Sequence, residues 1–193
     1  MDSNSYCSKP SGCIAWFTGL SGAGKSTLAE AVQQRIAELG RPVQILDGDV
    51  VRPHLCKDLG FSHADRIENV RRIAFVANLL ANNQVVVLVP VIAPYRAVRE
   101  ELRQNYSTYL EVFVNAPLET CEERDPKGLY RRARAGQIKN FTGISDPYET
   151  PESPDVECRT DTESLEVCVD KIVTAIELRI SNPTVSNPTG MNV

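Results

Sequence analysis

The stretch Gly19-Leu20-Ser21-Gly22-Ala23-Gly24-Lys25-Ser26 decides the fold of this chain. It matches the pattern G-x-x-x-x-G-K-[ST] in full, follows an apolar run at residues 13–17 and opens an amphipathic segment at 25–39. In such a loop the backbone N–H groups turn inward around phosphate oxygens, and the following helix adds its positive dipole end. We therefore predict a strand, a phosphate loop and a helix, with Lys25 at the β- and γ-phosphates of ATP and Ser26 on Mg²⁺. The predicted ATP site comprises Gly19, Leu20, Ser21, Gly22, Ala23, Gly24, Lys25, Ser26 and Thr27.

The alternation of strand and helix continues along the chain. Such alternation indicates a parallel sheet with helices on both faces, so the predicted fold class is α/β, a three-layer α/β/α P-loop NTPase fold. Residues 85–91 have no polar face, as expected of a strand that is covered on both sides, and we predict this strand to be central. Further strands are predicted at 43–46, 110–114 and 156–159, and further helices at 66–82, 97–104, 118–123 and 164–180.

Length and composition favour one domain. The 193 residues fit a single domain at 13–180, flanked by a flexible arm at 1–12 and a disordered tail at 181–193. Residues 124–150 are basic and then rich in Gly, Pro and Ser, which is typical of a mobile lid. The net charge of -4 argues against bulk binding of nucleic acid or anionic membranes. No apolar run approaches the roughly 20 residues that span a bilayer, so we expect a cytoplasmic protein.

Two carboxylates close the second predicted strand, in Asp47-Gly48-Asp49. They should lie beside the phosphate loop, where one can assist Mg²⁺ and the other can accept a proton from an attacking hydroxyl. The alternative is a turn that caps a helix. The strand at 85–91 ends without the aspartate of many P-loop ATPases, and the chain has no N-K-x-D segment for guanine. These features favour a small-molecule kinase over a motor ATPase or a GTPase.

Over about residues 12–180 the sequence resembles the adenylylsulfate kinases. The resemblance implies transfer of the γ-phosphate of ATP to the 3′-hydroxyl of adenosine 5′-phosphosulfate (adenylylsulfate), with ATP and Mg²⁺ as cofactors and a homodimer as the assembly. It depends on residues 16–27 (WFTGLSGAGKST), 46–49 (LDGD), 58–62 (DLGFS), 124–130 (RDPKGLY) and 141–144 (FTGI), together with Arg52, Arg66, Asn69, Arg71 and Arg72.

The resemblance also assigns site residues. Arg52, Arg66 and Asn69 are expected at the phosphosulfate and ribose, and Phe61 and Phe141 around the adenine ring, although either ring could be an ordinary core residue. A solvated helix face is the alternative for Arg71 and for residues 99–103. The candidate catalytic residues are Asp49, Lys25, Asp47 and Lys127, and the candidate metal ligands are Ser26 and Asp47. Arg124 joins the ATP site, and the segment 160–163 is a further candidate for contacts with the adenine of ATP. The candidate substrate site comprises Asp49, Arg52, Phe61, Arg66, Asn69, Ile92, Lys127, Lys139 and Phe141.

The chain departs from the family pattern at Ala93, because many members have Ile-Ser-Pro where this sequence has Ile92-Ala93-Pro94. Either transfer is direct and in line and needs no protein nucleophile, which we favour, or the chain is a nucleotide-binding module that senses rather than catalyses. Another small-metabolite kinase, of the gluconate or shikimate type, is the second alternative. Val50 also departs from the family pattern, in which Asn is common. We expect the six cysteines to be mostly reduced, with a regulatory disulfide of Cys7 or Cys13 left open.

Overall fold

The computed structural model describes residues 12–181, which form one five-stranded parallel sheet and seven helices. The strand order is β2-β3-β1-β4-β5, and each neighbouring pair is parallel, as predicted. In chain order the elements are β1 (Cys13–Thr18), α1 (Lys25–Glu38), β2 (Val43–Ile45), α2 (Gly48–Leu55), α3 (His63–Ala81), β3 (Val86–Pro90), α4 (Arg96–Asn105), β4 (Tyr109–Asn115), α5 (Leu118–Arg124), α6 (Leu129–Arg134), β5 (Val156–Arg159) and α7 (Leu165–Ser181).

Two hydrophobic layers cover the two faces of the sheet. Every residue of β1 is buried, and alternate side chains point to opposite faces, as the two-residue period of a strand requires. Ala15 and Phe17 pack in one layer with apolar side chains of α1 and α7, whereas Ile14 and Trp16 pack in the other with those of α3 and α4. This arrangement confirms the predicted three-layer α/β/α fold.

The centre of the sheet differs from the prediction. β3 lies between β2 and β1, and β1 occupies the middle of the five strands. All five residues of β3 are buried, as are all six of β1. An uninterrupted apolar run therefore identifies an inner strand that is covered on both faces, but it does not specify the position of that strand in the sheet.

Two short helices were missed. α2 has only eight residues, contains Pro53 and buries none of its side chains, so it lacks an apolar stripe. α6 lies in the basic segment that was interpreted as lid. The helix predicted from residue 66 begins at His63, because Ser62 and Asp65 form a capping box around its first turn.

The arginines of α4 do not form one solvated face. Arg71 of α3 makes an exposed pair with Glu101, with 2.7 Å between the closest nitrogen and oxygen. Arg99, by contrast, is only 2% exposed, and its Nε lies 2.8 Å from Glu111 of β4. Arg103 also contacts Glu111, at 3.2 Å. The solvated-face alternative is therefore wrong for Arg99, which is held in a buried ion pair.

The cysteines of the described residues are free and buried. Cys13 lies in β1, where burial raises the pKa of its thiol to about 12. Cys7 and the arm and tail predictions for residues 1–11 and 182–193 lie outside the described residues. At the two boundaries, Gly12 donates a backbone hydrogen bond to Ala81, and Ser181 is the last residue of α7. Within residues 12–181, no helix is long and apolar enough to cross a membrane.

Candidate functional site

A cavity of about 1060 Å³ opens at the carboxyl ends of the parallel strands. Its walls come from the loops that follow β1, β2 and β3, from the start of α3, from the segment after β5 and from the basic segment 124–142. Ligands of open α/β sheets bind at this edge, where the loops of neighbouring strands converge. The cavity is therefore the candidate active site.

The phosphate loop lies between β1 and α1. Its glycines Gly19, Gly22 and Gly24 have positive φ angles of 148°, 76° and 101°, which L side chains rarely adopt. Lys25 folds back over the loop, and its Nζ donates to the carbonyl oxygens of Gly19 at 3.0 Å and Leu20 at 2.7 Å. Burial lowers the pKa of Lys25 to about 8, so the ammonium remains mostly charged at neutral pH.

Asp47 combines the two functions that the sequence left as alternatives. Its Oδ1 accepts from the backbone N–H of Asp49 at 2.8 Å and so caps α2, while its Oδ2 accepts from the Ser26 hydroxyl at 2.9 Å. A hydroxyl and a carboxylate are the hard oxygen ligands that Mg²⁺ takes. Residues 12–181 contain no cluster of three or more His, Cys, Asp or Glu suited to a metal. A cation held by Ser26 and Asp47 would thus take its other ligands from phosphates and water, so the two residues fit Mg²⁺.

Asp49 lies in the first turn of α2 and forms an ion pair with Lys127. Lys127 belongs to the connection between α5 and α6, so the pair joins the sheet side of the cavity to the basic segment. Both side chains are more than half exposed. A carboxylate and an ammonium are therefore available next to the phosphate loop.

The opposite end of the cavity carries cations around an aromatic ring. Phe61 is 61% exposed and lines the cavity, so the core alternative is wrong for this ring. The guanidinium of Arg52 lies over it, 4.3 Å from the ring centroid. Arg66 donates to Thr142 Oγ1 at 2.9 Å and to the Asn140 carbonyl at 2.5 Å. This end of the cavity therefore presents positive charge and an exposed π face.

Asn69 contributes an unpaired acceptor to the same end. The residue is only 6% exposed and lines the cavity, and its Oδ1 has no hydrogen-bond partner. A buried polar atom without a partner destabilises a fold unless something else binds it, so this oxygen favours a ligand that brings a donor.

Phe141 connects the basic segment to the phosphate loop. It is half-buried, packs partly against the core and also lines the cavity. Its ring meets Tyr130 edge to face, with 5.1 Å between the centroids. The Tyr130 hydroxyl donates to the carbonyl of Ser21 at 2.9 Å. The core and cavity interpretations of Phe141 thus both hold in part.

Arg124 lies on the far side of the phosphate loop, next to the segment after β5. It donates to the Thr160 side chain at 3.2 Å and to the Thr160 carbonyl at 2.8 Å, while the Thr160 hydroxyl donates to the Ala23 carbonyl at 2.7 Å. Glu163 and Cys168 line the cavity beyond it. Arg124 is therefore placed beside the loop that is expected to hold the phosphates of ATP.

Most of the predicted site residues line this one cavity. Three do not: Gly19 and Leu20 face Lys25 through their carbonyls, and Ala23 is fully buried. The predicted residues on the wall are Ser21, Gly22, Gly24, Lys25, Ser26, Thr27, Asp47, Asp49, Arg52, Phe61, Arg66, Asn69, Ile92, Arg124, Lys127, Lys139 and Phe141.

Sequence reasoning missed several wall residues. Thr142 and Asn140 partner Arg66, and their neighbour Phe141 was the signal that could have pointed to them. Leu165 and Cys168 carried no signal, because they were interpreted only as part of the last helix. Val70 and Ile138 also line the wall and were missed, whereas Pro126 and Leu129 were noted only as part of the segment 124–130.

The fold and this cavity define the class: a P-loop phosphotransferase with a nucleotide-phosphate loop at one end and a cationic, aromatic site at the other. The family model for adenylylsulphate kinase matches residues 11–159, which is more than half of the chain. The chain belongs to the adenylylsulphate kinase family, and it is a kinase.

Individual relatives agree with this membership. The chain is 59% identical over 165 residues to the adenylyl-sulfate kinase of Synechococcus sp. (strain JA-3-3Ab), covering 86% of this chain and 94% of the relative. It is 60% identical over 165 residues to that of Gloeothece citriformis (strain PCC 7424), with the same coverage.

Solved structures show the same fold. The Mycobacterium tuberculosis APS kinase CysC, solved in complex with AMPPNP and APS, is 45% identical, with a TM-score of 0.84 over 88% of this chain and 99% of that one. A gluconokinase from Sinorhizobium meliloti 1021 is 22% identical, with a TM-score of 0.59 over 90% of this chain and 95% of that one. The second likeness extends to the fold alone.

Proposed function

We propose that this protein transfers the γ-phosphate of ATP to the 3′-hydroxyl of adenylylsulfate and so forms 3′-phosphoadenosine 5′-phosphosulfate. The observation that supports this most directly is the joining of two ends in one cavity: the phosphate loop with Asp49 beside it, and the cationic end around Phe61. A relative of the same family has been solved with an ATP analogue and APS together. The volume of about 1060 Å³ leaves room for two nucleotides.

The loop end is the proposed ATP site. The backbone N–H groups of residues 19–26 and the N-terminus of α1 suit the phosphates, and Lys25 is placed to exchange its two carbonyl contacts for phosphate oxygens. Arg124 would lie near the nucleoside, next to Thr160. Ser26 and Asp47 would hold Mg²⁺, which when bound neutralises negative charge on the transferred group.

The cationic end is the proposed adenylylsulfate site. Arg52, Arg66 and Lys139 supply positive charge for the phosphosulfate, and charge-assisted hydrogen bonds to such anions are among the strongest in proteins. The unpaired Oδ1 of Asn69 suits a ribose hydroxyl, which brings a donor. Phe61 and Phe141 offer apolar faces to the adenine ring, and Ile92 adds an apolar wall.

In the proposed reaction the 3′-oxygen attacks the γ-phosphorus in line. The new bond from oxygen to phosphorus forms as the bond from phosphorus to the bridging oxygen of ADP breaks, and the 3′-hydroxyl proton passes to the Asp49 carboxylate. Lys25 stabilises the charge on the transferred group. Lys127 forms an ion pair with Asp49 in this structure. When substrates bind, its ammonium would instead contact the transferred phosphoryl group.

Direct transfer accounts for Ala93. No step of this reaction uses a nucleophile from the protein, so a methyl group at this position does not prevent it. The main alternative, a module that binds nucleotides without turnover, had Ala93 as its support.

A coupled assay of ADP release, run with Mg-ATP and with or without adenylylsulfate, tests the proposal. We expect release that depends on adenylylsulfate and is absent when gluconate or shikimate replaces it. Binding of both nucleotides without release would instead support the sensing module, and release with a sugar acid would support another metabolite kinase.

The assembly and location stay predictions. We propose a homodimer, which light scattering of the full chain would test against a monomer or a larger ring. A solved relative, the hexameric APS kinase from Thiobacillus denitrificans, shows that larger assemblies occur among similar proteins. The cytoplasmic location predicted from the sequence would be tested by fractionation.

A further inference from the structure

The loop between β3 and α4, residues 91–95, is fixed by hydrogen bonds to four successive carbonyl groups. It carries Ile92, Ala93 and Pro94 into the wall of the cavity. A loop has little freedom to move when its successive backbone carbonyls all accept hydrogen bonds from neighbouring segments. The carbonyls of residues 91–94 accept, in order, from Trp16 Nε1 at 3.0 Å, Thr18 Oγ1 at 2.5 Å, Arg99 Nη1 at 2.7 Å and the backbone N–H of Glu149 at 2.9 Å.

Arg99 differs from the other donors because it makes three contacts in three directions. Its Nε binds Glu111 at 2.8 Å, its Nη1 binds the Ala93 carbonyl and its Nη2 binds the Glu149 carbonyl at 2.5 Å. The fixed planar fork of a guanidinium suits such simultaneous contacts, whereas a lysine ammonium on its flexible stem does not reproduce them. One buried side chain thus ties the loop to β4 and to the end of the 124–150 segment.

Ala93 itself has a conformation that needs support. Its φ is +43°, in the left-handed region that L residues other than glycine rarely adopt. It is 1% exposed, and its carbonyl is the group that Arg99 holds. The contacts of Arg99 therefore help to keep the loop in a conformation that it would otherwise leave.

We propose that Arg99 is a positioning residue that fixes the β3–α4 loop against the end of the lid and thereby sets the affinity for the phosphoryl acceptor. Arg99 lies behind the wall and does not line the cavity. The inference depends on the proposed function, because it takes the acceptor to be adenylylsulfate and the loop to belong to its site. It predicts an effect on one substrate only, since the phosphate loop and Arg124 lie on other segments.

The test compares Arg99→Lys with Arg103→Lys in the full-length protein. Arg103 also contacts Glu111 and contacts Asp155 at 2.9 Å, but it donates to none of the carbonyls of residues 91–94. We expect Arg99→Lys to raise the KM for adenylylsulfate about tenfold, as for the loss of one well-placed buried hydrogen bond, while the KM for ATP stays within about twofold. Arg103→Lys should leave both constants near those of the unmodified protein.

A second variant covers the case in which Arg99→Lys does not fold. Arg99→Met combined with Glu111→Met removes the ion pair as a unit, so no unpaired charge stays buried, and such replacements are often tolerated. It still removes the bonds to Ala93 and Glu149, so we expect the same selective rise in KM for adenylylsulfate. An unchanged KM for adenylylsulfate in either folded variant, or equal rises for both substrates, would overturn the inference.

The unmodified protein separates this inference from the proposed function. If it shows no turnover that depends on adenylylsulfate, the proposed function fails. If it turns over normally and the variants do not differ from it, only the positioning role of Arg99 fails.

Discussion

Asp49 is the residue on which the proposed chemistry depends most. It lies beside the phosphate loop in the first turn of α2 and is paired with Lys127. We expect Asp49→Asn to lower kcat by about 100-fold or more, because the amide cannot accept the proton, with little change in the KM for ATP. Steady-state kinetics with adenylylsulfate would measure both constants.

A matched control for Asp49→Asn is Asp58→Asn. Asp58 is another exposed carboxylate in an ion pair, with Arg72 at 2.7 Å, and it does not line the cavity. It should leave kcat unchanged. Near-normal turnover in Asp49→Asn would remove Asp49 from its proposed role.

Lys25 gives the activity a pH dependence of defined sign. Burial lowers the pKa of its ammonium to about 8, so the free enzyme loses this charge as the pH rises through about 8. Bound phosphates favour the charged form and shift its loss to higher pH. We therefore expect kcat/KM for ATP to fall above about pH 8, while kcat/KM for adenylylsulfate at saturating ATP holds to higher pH. Parallel profiles for the two substrates would contradict the assignment.

Single residues could be predicted where they belong to a recognisable motif. Ser26 and Asp47, foreseen as metal ligands, lie 2.9 Å apart because the first strand and the second strand end at the same edge of the sheet. Arg99 could not be foreseen, since its burial depends on Glu111 of β4, twelve residues away. A helical arginine looks the same in sequence whether water or a carboxylate faces it.

At the scale of elements, the turn from β1 into α1 leaves little room for a side chain at its glycines. A Cβ on Gly22 would lie 2.9 Å from the Cys121 carbonyl, and φ is +76°. Gly40 has a similar φ of +74° but no heavy atom within 4 Å of its Cβ position. Alanine variants at the two glycines would therefore share the backbone strain, and only the variant at Gly22 would add a steric clash.

We predict that Gly22→Ala weakens ATP binding by at least about tenfold, because the loop must move to admit the methyl group. Gly40→Ala should lower the free energy of unfolding by about 1 kcal/mol and leave ATP affinity unchanged. Calorimetric titration with ATP and urea denaturation would measure the two effects. Equal affinity in both variants would argue against a close fit of the loop.

Helices with a strong periodicity of apolar residues could be predicted from the sequence. Short helices that depend on a capping carboxylate could not. α1 and α7 bury apolar stripes, and their predicted bounds differ from the structure by about one residue. α2 instead depends on the Asp47 cap, and α6 on Asp125, whose carboxylate accepts from the backbone N–H groups of Tyr130 and Arg131. Helices of this kind carry polar sequences that resemble loops.

At the scale of the whole molecule, Glu111 connects distant segments. It lies between Arg99 and Arg103 and is almost fully buried. We expect Glu111→Gln to cost about 3 to 5 kcal/mol of stability, because it leaves a buried guanidinium without its counter-charge. Glu101→Gln, which breaks the exposed pair with Arg71, should cost under about 1 kcal/mol. Urea denaturation would measure the free energy of unfolding of both variants. Similar decreases in the two would show that burial of the Glu111 ion pairs contributes little to stability.

The cavity as a whole could be predicted only in part. The loops after β1 and β2 carry recognisable motifs, so that half of the wall could be predicted. For the half near Thr160, the sequence offered residues 160–163 only as candidates for contacts with the adenine of ATP. This part of the wall forms because β5 pairs in parallel with β4 and so brings residue 160 to the phosphate loop. Its sequence from 160 to 168 contains no pattern that specifies this contact.

The buried thiols can be used to measure local unfolding of the protein. Cys13, Cys56, Cys121, Cys158 and Cys168 are shielded in the folded state, and burial raises the pKa of each thiol, so little reactive thiolate is present. After Cys7→Ser, the rate at which a thiol reagent labels the thiols other than Cys168, which lines the cavity, should therefore report how often each region opens. Mass spectrometry of the labelled peptides would rank these openings, from the middle of the sheet at Cys13 to the end of α2 at Cys56.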